Sequence, residues 1–482
     1  MVSSTVSTNN KHYSPDRMDA AFEDFRKAYP TFDSTRKLDE LRVTEYARLD
    51  QQNHVYLDYT GGGLYADSQL RDHMALLGKN IFGNPHSTNP SSLAMTRLVE
   101  HAREYVLEFF NASPDDYVAI FTQNATGALK LVGESYPFAP GGNYLLTYDN
   151  HNSVNGIREF AHARGAKVTY IPVVPPDLRV DVGELEGALE LAQPDSNNLF
   201  AYPAQSNFSG VQHPLEWIAE AQSKGWDVLL DAAAFAPSNR LDLSQWQPDF
   251  VDLSFYKIFG YPTGIGCLLA HKKTVHKLHR PWYAGGTSSF SSVQGEVFYL
   301  RPGPAGFEDG TVNYLSIPAV EMGLRYIESL GIETIHSRVT TLTGWLIDQL
   351  MGLKHSNGKS VIRLYGPANM EMRGGTVEVN FYDPDGVLFD CNRIESMANE
   401  ENISLRAGCH CNPGAREISI GIREEEMVAC FRDKDRMTFG QFMQVMDCNT
   451  TGAVRASLGL ATTFADVYRY MQFAETFIDR SA

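Results

Sequence analysis

The sequence predicts an α/β protein: a mostly parallel seven-stranded sheet in a large unit, followed by a smaller α+β unit. Two patterns predict it. Seven short, largely apolar segments, at 117–122, 144–147, 167–173, 199–203, 227–230, 250–254 and 266–270, are separated by helical or loop stretches, as expected of strands covered on both faces by helices. After about Pro318 the pattern changes to long amphipathic helices at 318–330 and 334–353, a short strand at 377–382 and a final helix at 464–478.

The elements before the sheet follow the same logic. The polar start lacks periodicity until an amphipathic segment at 22–29, so residues 1–35 read as an arm. Leu98, Ala102, Val106 and Phe109 recur at helical spacing, and Asn111 with Pro114 stops that helix before the first strand. The expected divisions are the arm, a large unit at 36–317 and a small unit at 318–482 completed by part of the amino-terminal segment. A chain of 482 residues is ample for this organisation.

Composition excludes several function classes. The 58 acidic side chains outnumber the 41 basic ones, and the formal charge of −17 disfavours binding to nucleic acid or to anionic membranes. No stretch approaches the roughly 20 apolar residues of a membrane span, and the first residues lack the apolar segment of a secretory signal. A soluble cytoplasmic protein is therefore expected. Cys267, Cys391, Cys409, Cys411, Cys430 and Cys448 are few and irregularly spaced, which favours reduced thiols over a disulfide framework.

The chemistry concentrates in a few segments. In Asp252-Leu-Ser-Phe-Tyr-Lys257, a lysine lies between an apolar strand and a Gly-rich turn, where partial desolvation would free its amine for Schiff-base formation. Alone, Lys257 reads equally as a snorkelling surface residue. Asp231 ends another apolar strand, at the sheet edge where α/β proteins bind ligands, and an aspartate with a Schiff-base lysine is what pyridoxal phosphate requires. By itself it could be a helix N-cap. Thr122-Gln-Asn-Ala-Thr-Gly-Ala128 runs from a strand through small residues into a helix, so Ala125 and Thr126 begin an anion-binding helix start. His151 follows a further strand end and could lay a flat ring on a cofactor, or be an ordinary loop residue.

Together these elements resemble the class V, fold-type-I family of pyridoxal-phosphate enzymes in its cysteine desulfurase branch, and more narrowly the desulfurase domain of molybdenum cofactor sulfurase. The marks are Tyr56-Leu-Asp58, Gly83-Asn-Pro-His-Ser87, Asn124-Ala-Thr-Gly127, His151, Ser206-Asn-Phe-Ser-Gly210, Asp231-Ala-Ala233, Ser254-Phe-Tyr-Lys257, Phe307-Glu-Asp-Gly-Thr311, Arg406-Ala-Gly-Cys-His-Cys-Asn-Pro-Gly-Ala415 and Val454-Arg-Ala-Ser457, spread over residues 55–478. The resemblance implies that Lys257 carries the cofactor, Asp231 faces its pyridine nitrogen and His151 stacks on its ring. Asn207 would lie near the ring oxygen and substrate, with Ala125, Thr126 and Ser254 on the phosphate. Thr311 would reach a neighbouring subunit's phosphate in a homodimer, and Arg455, with Arg406, would meet the substrate.

The same resemblance maps Arg-x-Gly-x-x-Cys onto Arg406, Gly408 and Cys411, making Cys411 the nucleophile that takes sulfur from L-cysteine as a persulfide, for transfer to an acceptor. Positive charge from Arg406 or a protonated His410 would activate the thiol, with Cys409 as relay or bystander. Cys-His-Cys also offers soft metal ligands. A structural zinc, however, wants four ligands in close pairs, and the remaining cysteines lie far off, so no metal is expected. The chain departs from the family pattern at Tyr59-Thr-Gly-Gly-Gly63 and at Arg416, where a cysteine is common. The sequence stops at Ala482, so by the resemblance the sulfurases' carboxyl-terminal molybdopterin-binding domain is expected to be missing. Besides a desulfurase, the alternatives are a pyridoxal-phosphate carbon–sulfur lyase or aminotransferase and a cofactor-free scaffold. Joint retention of Lys257, Asp231, His151 and Arg455 argues against the scaffold.

Overall fold

The strand Gly266–His271 runs antiparallel to both its neighbours, Tyr117–Thr122 and Phe250–Ser254, and every other pairing in the main sheet is parallel. The computed structural model describes residues 12–85, 87–421 and 452–482, so His86, Cys430 and Cys448 lie outside the described residues. Strand order across the seven-stranded sheet is Tyr117–Thr122, Gly266–His271, Phe250–Ser254, Asp227–Asp231, Asn198–Pro203, Asn143–Thr147 and Lys167–Ile171. The central strands are buried along their whole length, which is why they read as unbroken apolar runs. One face packs Ile120, Leu146, Leu229 and Leu268 against the helix Ala125–Ser135. The other buries Phe121, Leu145, Phe200, Leu230 and Leu253 in a larger core shared with the rest of the chain.

Two boundaries differ from the sequence expectation for physical reasons. The edge strand stops at Ile171 because Pro172 has no N–H to continue the ladder, and Val173–Val174 pairs instead with Arg179–Val180. The helix expected from Leu98 begins at Pro90, where the Asn89 side chain accepts a hydrogen bond from the Ser92 amide at 3.0 Å. Its polar first turn hid this start from the apolar periodicity.

A second, four-stranded antiparallel sheet has the order Ile362–Tyr365, Thr376–Phe381, Ala453–Ser457 and Arg406–Gly408. Helices Pro318–Leu330, Ile332–Gly352 and Phe464–Glu475 accompany it. The amphipathic segment near the amino terminus forms the helix Met18–Ala28, whose Phe25 ring lies 5.0 Å from Phe464. Further along, Arg42 donates to Asp466 at 2.9 Å and to the Ala461 carbonyl at 2.7 Å, and both charged side chains are buried. Among the described residues no helix is long and apolar enough to cross a membrane.

Breaking that ion pair from one side strands a buried carboxylate. Arg42→Ala should cost about 3–5 kcal/mol, read as a lower urea midpoint, whereas replacing Arg42 and Asp466 together with apolar residues should recover much of the loss. Equal losses in the single and double variants would contradict the assignment.

Candidate active site

A cavity of about 370 Å³ opens at the carboxyl ends of the parallel strands, within the range of small-molecule sites. Its wall contains Ala125, Thr126, His151, Asn207, Asp231, Ser254 and Lys257, seven residues the sequence nominated from separate segments. Asp231 is the last residue of its strand, and its carboxylate accepts from the Ala233 amide at 2.9 Å. Lys257 sits in the short helix Phe255–Phe259 that follows Ser254, half-buried, and its amine makes no hydrogen bond or ion pair among the described residues.

Register places the helix start beside the lysine turn. Gly266 pairs with Thr122 on one side and Ser254 on the other. A side chain there would place its Cβ 2.3 Å from the Asn124 carbonyl carbon, so only glycine admits this approach. Asn124 caps the helix by accepting from the Gly127 amide at 2.8 Å. The amides of Ala125 and Thr126, in its first turn, have no acceptor within the helix and suit an anion in the cavity.

His151 is N-cap of the helix Asn152–Asn155, and its Nδ1 accepts from the Ser153 amide at 3.1 Å, which leaves the proton of the neutral ring on Nε2. Burial holds His151 below the usual imidazole range, with Lys257 and Arg455 adding to the effect and Asp231 opposing it. A neutral, flat ring therefore faces the cavity.

The cysteine loop is fastened to the cavity rim. Asn207 donates to the His410 carbonyl at 2.7 Å and accepts from the Asn412 amide group at 2.9 Å, while Asn412 also donates to the Asp149 carbonyl at 2.7 Å. The Asn152 amide donates to the Cys411 carbonyl at 2.8 Å. A Cβ on Gly414 would lie 2.0 Å from the Tyr148 carbonyl oxygen, so the loop and the His151 turn meet at backbone contact. Cys411 itself is exposed, at φ +55°, and lies outside the set of cavity-lining residues.

Residues 55–470 match the family Aminotransferase class-V. The chain belongs to the class-V aminotransferase family. It is 36% identical to the molybdenum cofactor sulfurase of Solanum lycopersicum, over 94% of this chain and 59% of that protein. The chain thus spans about six tenths of the length of that relative. Among solved structures, the apo cysteine desulfurase of Thermococcus onnurineus superposes with a TM-score of 0.74 at 23% identity, over 91% of this chain and 98% of that one. A complex between the cystine C–S lyase C-DES and its reaction product cysteine persulfide superposes with a TM-score of 0.68 at 19% identity, over 88% and 98% of the two chains. The α/β arrangement expected from the sequence is the fold these structures share.

Class-V membership leaves three nominated residues to place, since Arg455, Arg406 and Thr311 do not line the main cavity. Arg455 is buried; it donates to the Asn207 carbonyl at 3.0 Å and to Asp58 at 3.2 Å. Arg406 grips the same Asp58 carboxylate through two nitrogens, at 2.6 and 3.1 Å. Thr311 is exposed in an adjoining cavity of about 210 Å³, which shares Gln123 and Gly264 with the first. The departure at Tyr59–Gly63 closes onto the lysine turn, with the Gly63 amide donating to the Tyr256 carbonyl at 3.0 Å.

One expectation is overturned. A protonated His410 was to activate Cys411, but the ring is buried against Glu378 at 3.0 Å, and burial, together with Arg455 and Arg406, holds it well below the usual imidazole range. Burial likewise pushes Glu378 well above the carboxylate range, against the pull of Arg455, so burial drives both partners of this hydrogen bond toward their neutral forms. Arg406 is committed to Asp58. Sequence reasoning also missed the roles of Asp58, Glu378, Asn412 and Asp252. A lone acidic residue inside the apolar strand Phe250–Ser254 was the available signal for the last.

Loss of the Asn412 side chain should free the cysteine loop without disturbing the lysine turn. Asn412→Ala leaves Asn207 Oδ1 and the Asp149 carbonyl unpaired, a cost of roughly 1–3 kcal/mol, so hydrogen exchange at the Asn152 amide should quicken by roughly 10- to 100-fold. Unchanged exchange at Asn152 would mean that the clasp does not hold the loop.

Proposed function

We propose that this chain is a pyridoxal-phosphate-dependent cysteine desulfurase unit: it takes sulfur from L-cysteine as a persulfide on Cys411, releases L-alanine, and passes the sulfur to a protein or small-molecule acceptor. The observation that carries the reading is the convergence of Lys257, Asp231, His151 and the helix start at Ala125 on one cavity, with the Cys411 loop clasped to its rim. The donor set fits the cofactor. An unpartnered amine, a buried carboxylate and free helix-start amides match its aldehyde, pyridine nitrogen and phosphate. Bound there, pyridoxal phosphate supplies an electron sink for the substrate's α-carbon.

The side chains divide the remaining work. Lys257 would hold the cofactor and move protons at the substrate's α-carbon; Asp231 would pair with its pyridine nitrogen, and the flat ring of His151 would pack on it. Ser254, Ala125 and Thr126 would hold its phosphate. Asn207 positions both the substrate side of the cavity and the cysteine loop. Arg455 and Arg406, both held by Asp58, would meet the substrate's α-carboxylate, and Arg455 Nε makes no hydrogen bond among the described residues. Cys411 directly precedes Asn412, the N-cap of the helix Pro413–Ile420. The thiolate attacks the substrate sulfur: the S–S bond forms on Cys411, the C–S bond breaks, and its electron pair returns to the carbon skeleton, which takes up a proton to become alanine.

The exposed position of Cys411 supports a second reading, a carbon–sulfur lyase, which needs no protein thiol. A homodimer belongs to the proposal: Phe290, Val293, Phe298 and Tyr299 expose an apolar hairpin suited to a second copy, and the exposed Thr311, whose hydroxyl accepts from Asn84 at 3.4 Å, would face a neighbour's phosphate.

Three measurements test this. Reconstituted protein should be yellow, and Lys257→Ala should lose the visible band; a colourless wild type would remove the cofactor reading. Given L-cysteine, wild type should release alanine, and Cys411→Ala should lose at least 100-fold in alanine formation, as expected when a nucleophile is deleted. Near-normal turnover in that variant, or pyruvate as the main wild-type product, would promote the lyase. Sedimentation should show a dimer at micromolar concentration, and a fully active monomer would end the cross-subunit role of Thr311.

A further inference from the structure

Two carboxyl side chains stand in the cavity wall, Asp231 and Asp252, and the proposed reaction does not use Asp252. It stands in the middle of the strand Phe250–Ser254, fully buried, and neither carboxyl oxygen has a hydrogen-bond partner among the described residues. Its register is specific. Asp252 pairs with Asp231 on the parallel neighbour and with Leu268 on the antiparallel one, so two carboxyls stand side by side on adjacent strands, roughly 4.8 Å apart in backbone spacing. Directly paired residues present their side chains to the same face of a sheet, and here both reach the same cavity.

Two carboxylates so placed cannot both ionise in a buried setting. Their surroundings decide which one keeps the charge. Asp231 accepts a backbone hydrogen bond from the Ala233 amide at 2.9 Å. Asp252 has Leu268 on its other side and takes no hydrogen bond from another described residue; burial, reinforced by the charge of Asp231, pushes it well above the usual carboxylate range, with Lys257 and its own backbone amide opposing. His151, held neutral, is the other titratable group facing this end of the cavity.

We propose that Asp252 and Asp231 work as a carboxyl pair holding one proton and one negative charge, with Asp252 the positioning residue that keeps a single anion facing the cofactor's ring. This rests on the cofactor reading above. If Asp231 loses its charge, Asp252 takes it over.

The first arm of the test uses the protein without cofactor. Below about pH 4, the unfolded carboxyl range, Asp252 is protonated in both folded and unfolded chains and exerts no pH-dependent effect. As pH rises, the unfolded chain ionises it and the fold does not, so wild type should lose stability relative to Asp252→Asn. At pH 7 the folded-to-unfolded ratio of Asp252→Asn should lead by roughly 10-fold or more, and Asp252→Ser should show the same pH trend. A gap that does not grow between pH 4 and 7 would overturn the proposal. The second arm measures pyridoxal-phosphate dissociation constants for wild type, Asp231→Asn, Asp252→Asn and the double variant. Removing Asp252 should weaken binding roughly 10-fold more in the Asp231→Asn background than in wild type, because only there does it carry the charge. Equal effects in both backgrounds would contradict the pairing. If wild type binds no cofactor, the functional reading fails and the stability arm alone decides the pair.

Discussion

The antiparallel register of Gly266–His271 is the constraint on which the site depends. Gly266 is paired with the last residues of two strands at once, Thr122 and Ser254, and each of those strands leads directly into a functional turn. Thr122 precedes the helix start, and Ser254 precedes the lysine helix. Because the strand end is glycine, the helix start can settle against it. The parallel register of Asp227–Asp231 with Phe250–Ser254 then brings Asp231 to the same edge. Lysine, carboxylate and anion cradle thus share a wall through backbone hydrogen bonding, before any side chain contributes.

Charge is handled differently on the two sides of the site. In the main cavity the amine of Lys257 is left without a hydrogen-bond or ion-pair partner among the described residues. Beside the second sheet, the charges of Arg406, Arg455 and Asp58 are paired in place. Arg406, Arg455 and Glu378 stand in one row across three strands, Asp58 lies between the two arginines, and burial drives His410 and Glu378 toward their neutral forms. Removing the partner of a buried ion would cost several kcal/mol, so this row holds the strand Arg406–Gly408 and the loop after it in one position. The cost is that the guanidinium groups best suited to a substrate carboxylate are already occupied by Asp58.

Much of this was legible in the sequence. Seven buried strands read as apolar runs, and the lysine between strand and glycine turn and the aspartate at a strand end announced a ligand edge, because these features are local in the chain. The residues that escaped are those whose meaning depends on pairing. Asp252 matters because it lies opposite Asp231, Glu378 because it meets a histidine from a distant loop, and Asn412 because it reaches Asn207 and Asp149. His410 shows the same limit from the other side. In sequence it is a cation beside a thiol; in the fold its ring turns into the core, and burial removes the charge.

The central claim is that one cavity and one clasped loop together move sulfur from a free amino acid to Cys411. The most direct measurement is peptide mass mapping of the reconstituted protein after brief exposure to L-cysteine and trapping of persulfides. The account predicts one additional sulfur atom on the peptide carrying Cys411, dependent on Lys257 and absent when L-cysteine is omitted. An unmodified Cys411 during active turnover, with sulfide released to solution, would contradict it.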